Sequence, residues 1–157
     1  MIFQDPSTSL NPRQRISQIL DFPLRLNTDL EPEARRKRVF ETLRMVGLLP
    51  DRESYYPHML APGQKQRLGL ARALILRPKV IIADEALASL DMSMRSQLIN
   101  LMLELQEKQG ISYIYVTQHL GMMKHISDQV MVMHQGEVVE RGSTADAVSY
   151  THLRAHE

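Results

Sequence analysis

Val80-Ile81-Ile82-Ala83-Asp84-Glu85 is the stretch that decides the fold. Four consecutive apolar residues, three of them β-branched, favour extended backbone. Pro78 bounds the run on one side and two carboxylates bound it on the other. Such a run suits a strand of a parallel sheet, buried on both faces. A parallel sheet needs crossover connections, and the flanking sequence supplies helices. Upstream, residues 64–76 place Leu68, Ala71 and Ile75 on one helical face. Downstream, residues 92–109 turn Leu98, Leu101, Met102 and Leu105 inward, and Gly110 stops the helix. Residues 111–117 form the next strand, ending at Gln118-His119. A short helix and a hairpin follow, its arms at 130–133 and 137–141 around Gln135-Gly136. The fold class is therefore α/β.

Towards the N-terminus, residues 31–47 read as a helix. Pro32 suits its first turn, and Glu31 and Glu33 lie near the positive end of the dipole. Val39, Leu43 and Val46 share one face, and Gly47 caps the end. The run Arg35-Arg36-Lys37-Arg38 reads as a solvated face balanced by Glu31, Glu33 and Glu41. Residues 50–61 read as a loop. Residues 1–30 read as loop-like, because Pro6, Pro12 and Pro23 interrupt them. Residues 1–4 have the look of a strand end whose beginning is missing.

The 157 residues, 43% apolar, fit one domain of modest size. Nineteen basic and eighteen acidic side chains leave a net charge of +1, which gives no electrostatic case for nucleic acid as a partner. The absence of cysteine excludes a disulfide framework, a thiolate zinc site and a cysteine nucleophile. No apolar run approaches the roughly 18 residues of a membrane span.

Chemistry concentrates where the first strand ends. Open α/β sheets bind ligands outside the C-terminal ends of their strands. There Asp84 would face a phosphate-bound Mg2+, and Glu85 would polarise a water for in-line attack on a terminal phosphate. Many strands end in Asp-Glu for structural reasons, so the pair gains meaning from its company. His119 follows Glu85 by 34 residues, at the end of the next strand, where it would hold a γ-phosphate or the attacking water. Leu60-Ala61-Pro62-Gly63-Gln64 joins a glycine turn to a helix N-terminus, an arrangement that binds anions. His125 and His134 carry no comparable context.

Together these segments resemble the ATPase subunit of an ABC transporter. Gln4, in Ile2-Phe3-Gln4-Asp5-Pro6, matches the Q-loop, a contact of nucleotide and Mg2+ in the family. Leu60, Ala61, Pro62, Gly63 and Gln64 match the signature motif, usually LSGGQ. Asp84 and Glu85 match the Walker B aspartate and the catalytic glutamate. Ala88-Ser89-Leu90-Asp91 matches the D-loop, with Asp91 at the nucleotide interface, and His119 matches the switch histidine. The opening FQDPSTSLNPR looks like the dipeptide and oligopeptide transporter branch. The resemblance covers residues 1–147 and implies part of an ABC-type ATPase domain with a parallel-sheet core. Its helical subdomain would occupy about 5–62 and its catalytic core part 63–147. Residues 148–157 continue no pattern and read as a foreign or disordered tail.

The sequence departs from the family pattern in three places. No G-x-x-x-x-G-K-[ST] occurs, and no lysine follows a glycine. The Walker A loop is therefore expected upstream of residue 1, together with the adenine contact. Ala61 stands where the family has a serine whose hydroxyl meets a γ-phosphate, and Pro62 lacks an N–H. Ala86 and Leu87 replace the usual Pro-Thr.

The resemblance implies ATP and Mg2+ as ligands. It implies a head-to-tail dimer with a second ATPase subunit, commonly a different one, trapping two ATP molecules. Membrane subunits would dock on the segment between Gln4 and Leu60 and hold the ATPase at the cytoplasmic face of a bacterial inner membrane, as a peripheral protein. The cargo implied is peptide, with polyamine or other small cargo as the alternative. A non-transport ABC ATPase of DNA repair or translation is a further reading. The 56 residues from Gln4 to Leu60 hold no sustained heptads of the kind repair members place there. A non-catalytic regulatory module is a third reading.

Overall fold

The computed structural model describes residues 1–144. The described residues fall into two compact units, Met1–Val116 and the residues from Thr117 on. Residues 148–157, the expected tail, lie outside the described residues.

In the first unit, α1 (Pro6–Ser9), α2 (Ile16–Asn27), α3 (Pro32–Met45) and α4 (Pro62–Leu74) precede β1 (Val80–Asp84). Then come α5 (Met92–Gln109) and β2 (Ser112–Val116). β1 and β2 are parallel, in register from Val80 opposite Ser112 to Asp84 opposite Val116. Ile2 takes the other edge of β1. Its N–H donates to the Ile82 carbonyl at 2.8 Å, and its carbonyl accepts from the Asp84 N–H at 3.0 Å. The strand end expected at residues 1–4 is thus present as a parallel bridge between Ile2 and Ala83.

Burial of β1 differs from the expectation. Ile81 and Ala83 are buried, whereas Val80 and Ile82 are 50% and 40% exposed. By register, Ile114 and Val116 share the exposed face, at 51% and 50%. Among the described residues the sheet is covered on one side only. A two-sided burial needs a second layer, which the apolar run calls for but the described residues do not supply.

Residues 1–30 also differ from the loop expected there, since α2 runs through Pro23. Proline inside a helix costs about 3 kcal/mol, because it removes an N–H and crowds the preceding turn. Ile16, Ile19, Leu20 and Leu24 are all buried on one face of α2. At roughly 1.5–3 kcal/mol for each buried side chain, that face outweighs the proline. Asn27 Nδ2 donates to the Pro23 carbonyl and Thr28 Oγ1 to the Leu24 carbonyl, closing the last turn.

α3 matches its expectation: Val39, Leu43 and Val46 are buried, and Gly47 ends the turn at φ +72°. Arg67 of α4 donates from Nη1 to the Val46 carbonyl at 2.7 Å, so one helix supplies the C-terminal cap of another. The stretch expected as a loop at 50–61 contains two short 3-10 turns, Pro50–Ser54 and Pro57–Met59. α5 buries Leu98, Met102 and Leu105, and Gly110 closes it at φ +64°.

The second unit contains α6 (Leu120–Ile126), β3 (Gln129–His134) and β4 (Glu137–Ser143). β3 and β4 form the expected antiparallel hairpin, with a register shift between Val132 and Met133. Gln135 and Gly136 both have positive φ, at 48° and 85°, which a two-residue hairpin turn of this hand requires. No helix among the described residues is long and apolar enough to cross a membrane.

Candidate functional site

Asp84 is the last residue of β1, and Glu85 begins the turn that follows. Glu85 has φ +46°, the left-handed region, which costs a residue with a Cβ roughly 1–2 kcal/mol. Its N–H donates to the Val116 carbonyl at 2.9 Å, and its carbonyl accepts from the Ala88 N–H at 3.0 Å. The loop beyond it is anchored. Ala86, Leu87 and Leu90 are buried, and Arg95 donates to the Leu87 and Leu90 carbonyls. Asp91 then caps α5, accepting from the Met94 N–H at 2.9 Å.

Gln4 comes to this loop from the N-terminal side. Its carbonyl accepts two hydrogen bonds, from Gln66 Nε2 at 3.0 Å and from Ser89 Oγ at 3.1 Å. Gln66 lies on α4, is 1% exposed, and its Oε1 has no partner among the described residues.

Residues 60–64 build the start of α4. Leu60 is buried and anchors the entry, Ala61 is the N-cap and Pro62 the first helical residue. Gln64 Oε1 accepts from the Ala61 N–H at 3.1 Å. That is one half of a capping box; Ala61 has no oxygen to return the bond. Pro62 is well placed for the fold, since the N–H it lacks has no intrahelical partner at this position. A Cβ on Gly63 would sit 2.9 Å from Met94 Sδ, so the helix start packs closely on α5. The exposed N-terminus of a 13-residue helix is a ready anion site.

The first unit therefore brings Gln4, the Asp84-Glu85 turn, the 88–91 loop and the 60–64 helix start into one network. His119 belongs to the second unit. It is exposed, precedes α6, and donates its backbone N–H to Thr117 Oγ1 at 3.1 Å.

Tyr113 and Tyr115 lie on the same face of β2 as the buried Ile81 and Ala83 of β1, stacked 5.7 Å apart. Burial pushes the Tyr113 hydroxyl up to about 12. Burial and then the neighbouring Tyr113 push Tyr115 higher still. Neither hydroxyl has a hydrogen-bond partner among the described residues.

Among the described residues no three His, Asp or Glu side chains gather into a metal site. One carboxylate at Asp84 and one amide at Gln4 suit Mg2+, which takes one or two protein ligands and completes its shell with phosphates and water. The sequence alone gives no role to Gln66 and places Ser89 only as a member of the 88–91 stretch. A usable signal existed for Gln66: a polar residue in line with Gly69, Leu70 and Leu74 on the buried face of α4.

The ABC transporter family profile matches residues 1–88. Over 149 residues the chain is 92% identical to the "Putrescine export system ATP-binding protein SapF" of Escherichia coli K12, covering 95% of this chain and 56% of that protein. It has the same identity and coverage with the "Peptide transport system ATP-binding protein SapF" of Salmonella typhimurium LT2. The "Dipeptide transport ATP-binding protein DppF" of Escherichia coli K12 is 46% identical over 91% of this chain and 43% of its own length. The chain thus spans about half the length of the curated relatives it matches. Among solved structures, cbiO1 of Clostridium perfringens, described as part of the ABC transporter complex cbiONQ, superposes with a TM-score of 0.83 at 32% identity. The match covers 94% of this chain and 58% of that one. The fold is that of an ABC ATPase, and the chain belongs to the ABC transporter family.

Proposed function

We propose that the chain is part of an ATP-binding and ATP-hydrolysing subunit that powers peptide transport across the bacterial inner membrane. The observation that carries the reading is the network at the end of β1, where the Gln4 carbonyl accepts from the side chains of Gln66 and Ser89, and Glu85 is held by main-chain bonds to Val116 and Ala88. The relatives named for peptide transport support the cargo.

In this reading a carboxylate oxygen of Glu85 takes a proton from a water as its oxygen adds to the γ-phosphorus. The bond to the β–γ bridging oxygen breaks, its electrons leave with ADP, and phosphate is released. Asp84, with Gln4, would hold Mg2+, which when bound offsets the charge on the phosphates. His119 would steady the γ-phosphate and the attacking water. Residues 60–64 would present their helix N-terminus to ATP held by a second, different ATPase subunit, and Asp91 would line the same interface. The helical subdomain of residues 5–62 would dock on membrane subunits, leaving the protein peripheral on the cytoplasmic face. With no Walker A motif in its 157 residues, the chain alone is expected to bind ATP weakly and not to turn it over.

The test is a Glu85→Gln variant of the whole subunit, assembled with its membrane subunits. Hydrolysis at the site that uses Glu85 is expected to fall at least about 100-fold while nucleotide stays bound, because an amide keeps the shape but accepts no proton. Unchanged hydrolysis would refute the assignment. The second cargo reading, putrescine, is favoured by the name of the Escherichia coli relative. Uptake or efflux of labelled peptide against labelled putrescine in vesicles holding the transporter separates the two.

A further inference from the structure

We infer that Gln66 and Ser89 are positioning residues for hydrolysis, acting through the main-chain carbonyl of Gln4. The inference rests on the ATPase reading above and adds to it how the loop carrying Gln4 is held.

Three segments far apart in sequence meet at one oxygen. The Gln4 carbonyl accepts from Gln66 on α4, 62 residues away, and from Ser89 in the loop after β1, 85 residues away. Each donor belongs to a segment fixed by other means. Gln66 is buried within α4, whose Arg67 is bonded to α3 and whose Gly63 packs on Met94. Ser89 sits between the buried Leu87 and Leu90, whose carbonyls Arg95 holds. The residue bearing the carbonyl is exposed, lies two positions beyond the Ile2 bridge, and is followed by Asp5-Pro6 at the start of α1. These two donors therefore restrain main-chain rotation at Gln4. Because residues 60–64 lead into α4 and Ser89 follows Glu85 by four residues, the carbonyl also links the two halves of the chemistry. A shift of α4 is transmitted to Gln4 and to the loop bearing Glu85 together.

The cost paid at Gln66 points the same way. A buried amide with one unpartnered oxygen is unfavourable, and an apolar side chain would fill the space without that loss. The amide is explained by what its nitrogen holds.

The two donors differ in a useful respect. Ser89 is exposed on its loop, so Ser89→Ala removes one bond without disturbing the core, and Ser89→Thr keeps the hydroxyl. Gln66→Leu removes the other donor and keeps the burial. In the whole subunit, Ser89→Ala is expected to lower kcat about three- to tenfold with the KM for ATP within about twofold, and Ser89→Thr to restore kcat. The melting temperature of Ser89→Ala should match the parent. Gln66→Leu should lower kcat by a similar factor. The double variant should fall little below the worse single one, because both bonds hold one carbonyl. Glu85→Gln runs alongside as the control. If it abolishes hydrolysis while Ser89→Ala and Gln66→Leu keep parental kcat, the positioning role is wrong and the ATPase reading stands. Effects of the two variants that simply multiply, or a Ser89→Thr that does not recover, also overturn it. If Glu85→Gln hydrolyses normally, the site reading itself fails and takes this inference with it.

Discussion

The N–H of Glu85 is bonded to the carbonyl of Val116 at 2.9 Å, which holds the turn after β1 against the end of β2. That bond lies one residue past Asp84, the end of the parallel ladder, and the residue that makes it has φ +46°. The strained residue is the one assigned the proton transfer.

This strain has a stability signature that is independent of catalysis. Replacing most exposed residues by glycine is worse than replacing them by alanine. At Glu85 the order should invert, with Glu85→Gly more stable than Glu85→Ala by about 1 kcal/mol. For a subunit of this size that is a melting difference of roughly 2–4 °C. Equal melting temperatures, or alanine above glycine, would mean that the positive φ is not a property of the folded turn.

Gly47 and Gly63 should respond differently to alanine. At Gly47, φ +72° and an Arg67 Nη1 only 2.7 Å from the added Cβ combine strain with a lost helix cap. Gly47→Ala should lower stability by about 1–3 kcal/mol. At Gly63 the added Cβ meets Met94 Sδ, which a flexible thioether side chain can yield. Gly63→Ala should therefore melt within about 1 kcal/mol of the parent while losing ATPase activity in the assembled transporter. Thermal melts and ATPase assays of both variants check the pair, and a Gly63 variant that unfolds would remove the distinction.

The two stacked tyrosines predict a loss of stability in alkali. Burial holds Tyr113 and Tyr115 above their ordinary value of 10 in the folded state. The unfolded chain thus loses these protons first as pH rises. Their contribution is complete below pH 10 and falls away through about 12, where Tyr113 itself titrates. Tyr113→Phe and Tyr115→Phe should flatten that decline. Near neutrality they should cost little or even stabilise, since each removes a buried hydroxyl without a partner among the described residues. Denaturant titrations at pH 7 and pH 11 measure both effects. A steeper alkaline loss in the phenylalanine variants would show the sign to be wrong.

What was legible in the sequence follows from how local each signal is. β1, β2, α4 and α5 were readable because apolar periodicity and Gly or Pro stops are written within each segment. α2 was not, because three prolines between residues 6 and 23 outvoted the spacing of Ile16, Ile19, Leu20 and Leu24, and only burial settles that contest. Asp84 and Glu85 stand out in the sequence by their place at a strand end, and the structure has Asp84 as the last residue of β1. The bonds of Gln66 and Ser89 to a shared acceptor 62 and 85 residues away are not legible, because no local pattern encodes them. The exposure of Val80 and Ile82 was missed for a related reason: an apolar run states that a face requires cover, not what supplies it.

At Ala61, fold and chemistry ask for the same atom. Gln64 already reaches back to the Ala61 N–H, so Ala61→Ser would complete a capping box at the start of α4. An N-cap hydroxyl is worth about 1 kcal/mol, which a melt of the whole subunit would register. A serine hydroxyl accepts from the helix N–H and can still donate its own proton to a phosphate. In the proposed head-to-tail pair, this helix faces ATP bound on the other ATPase. Loss of the serine hydroxyl and of the Pro62 N–H removes up to two charge-assisted bonds, roughly 1.5–3 kcal/mol each. The two ATP sites should therefore be unequal, with the one using Glu85 the faster. Ala61→Ser should raise the melting temperature and speed the slower site at least about threefold, leaving the Glu85 site unchanged. Replacing the catalytic glutamate by glutamine in one ATPase at a time reads out each site separately in the assembled transporter. If Glu85→Gln spares most of the ATPase rate while the equivalent change in the other subunit abolishes it, the order of the two sites is reversed. If Ala61→Ser raises stability but accelerates neither site, the helix N-terminus and Gly63 suffice for the phosphate, and the missing hydroxyl matters to the fold alone.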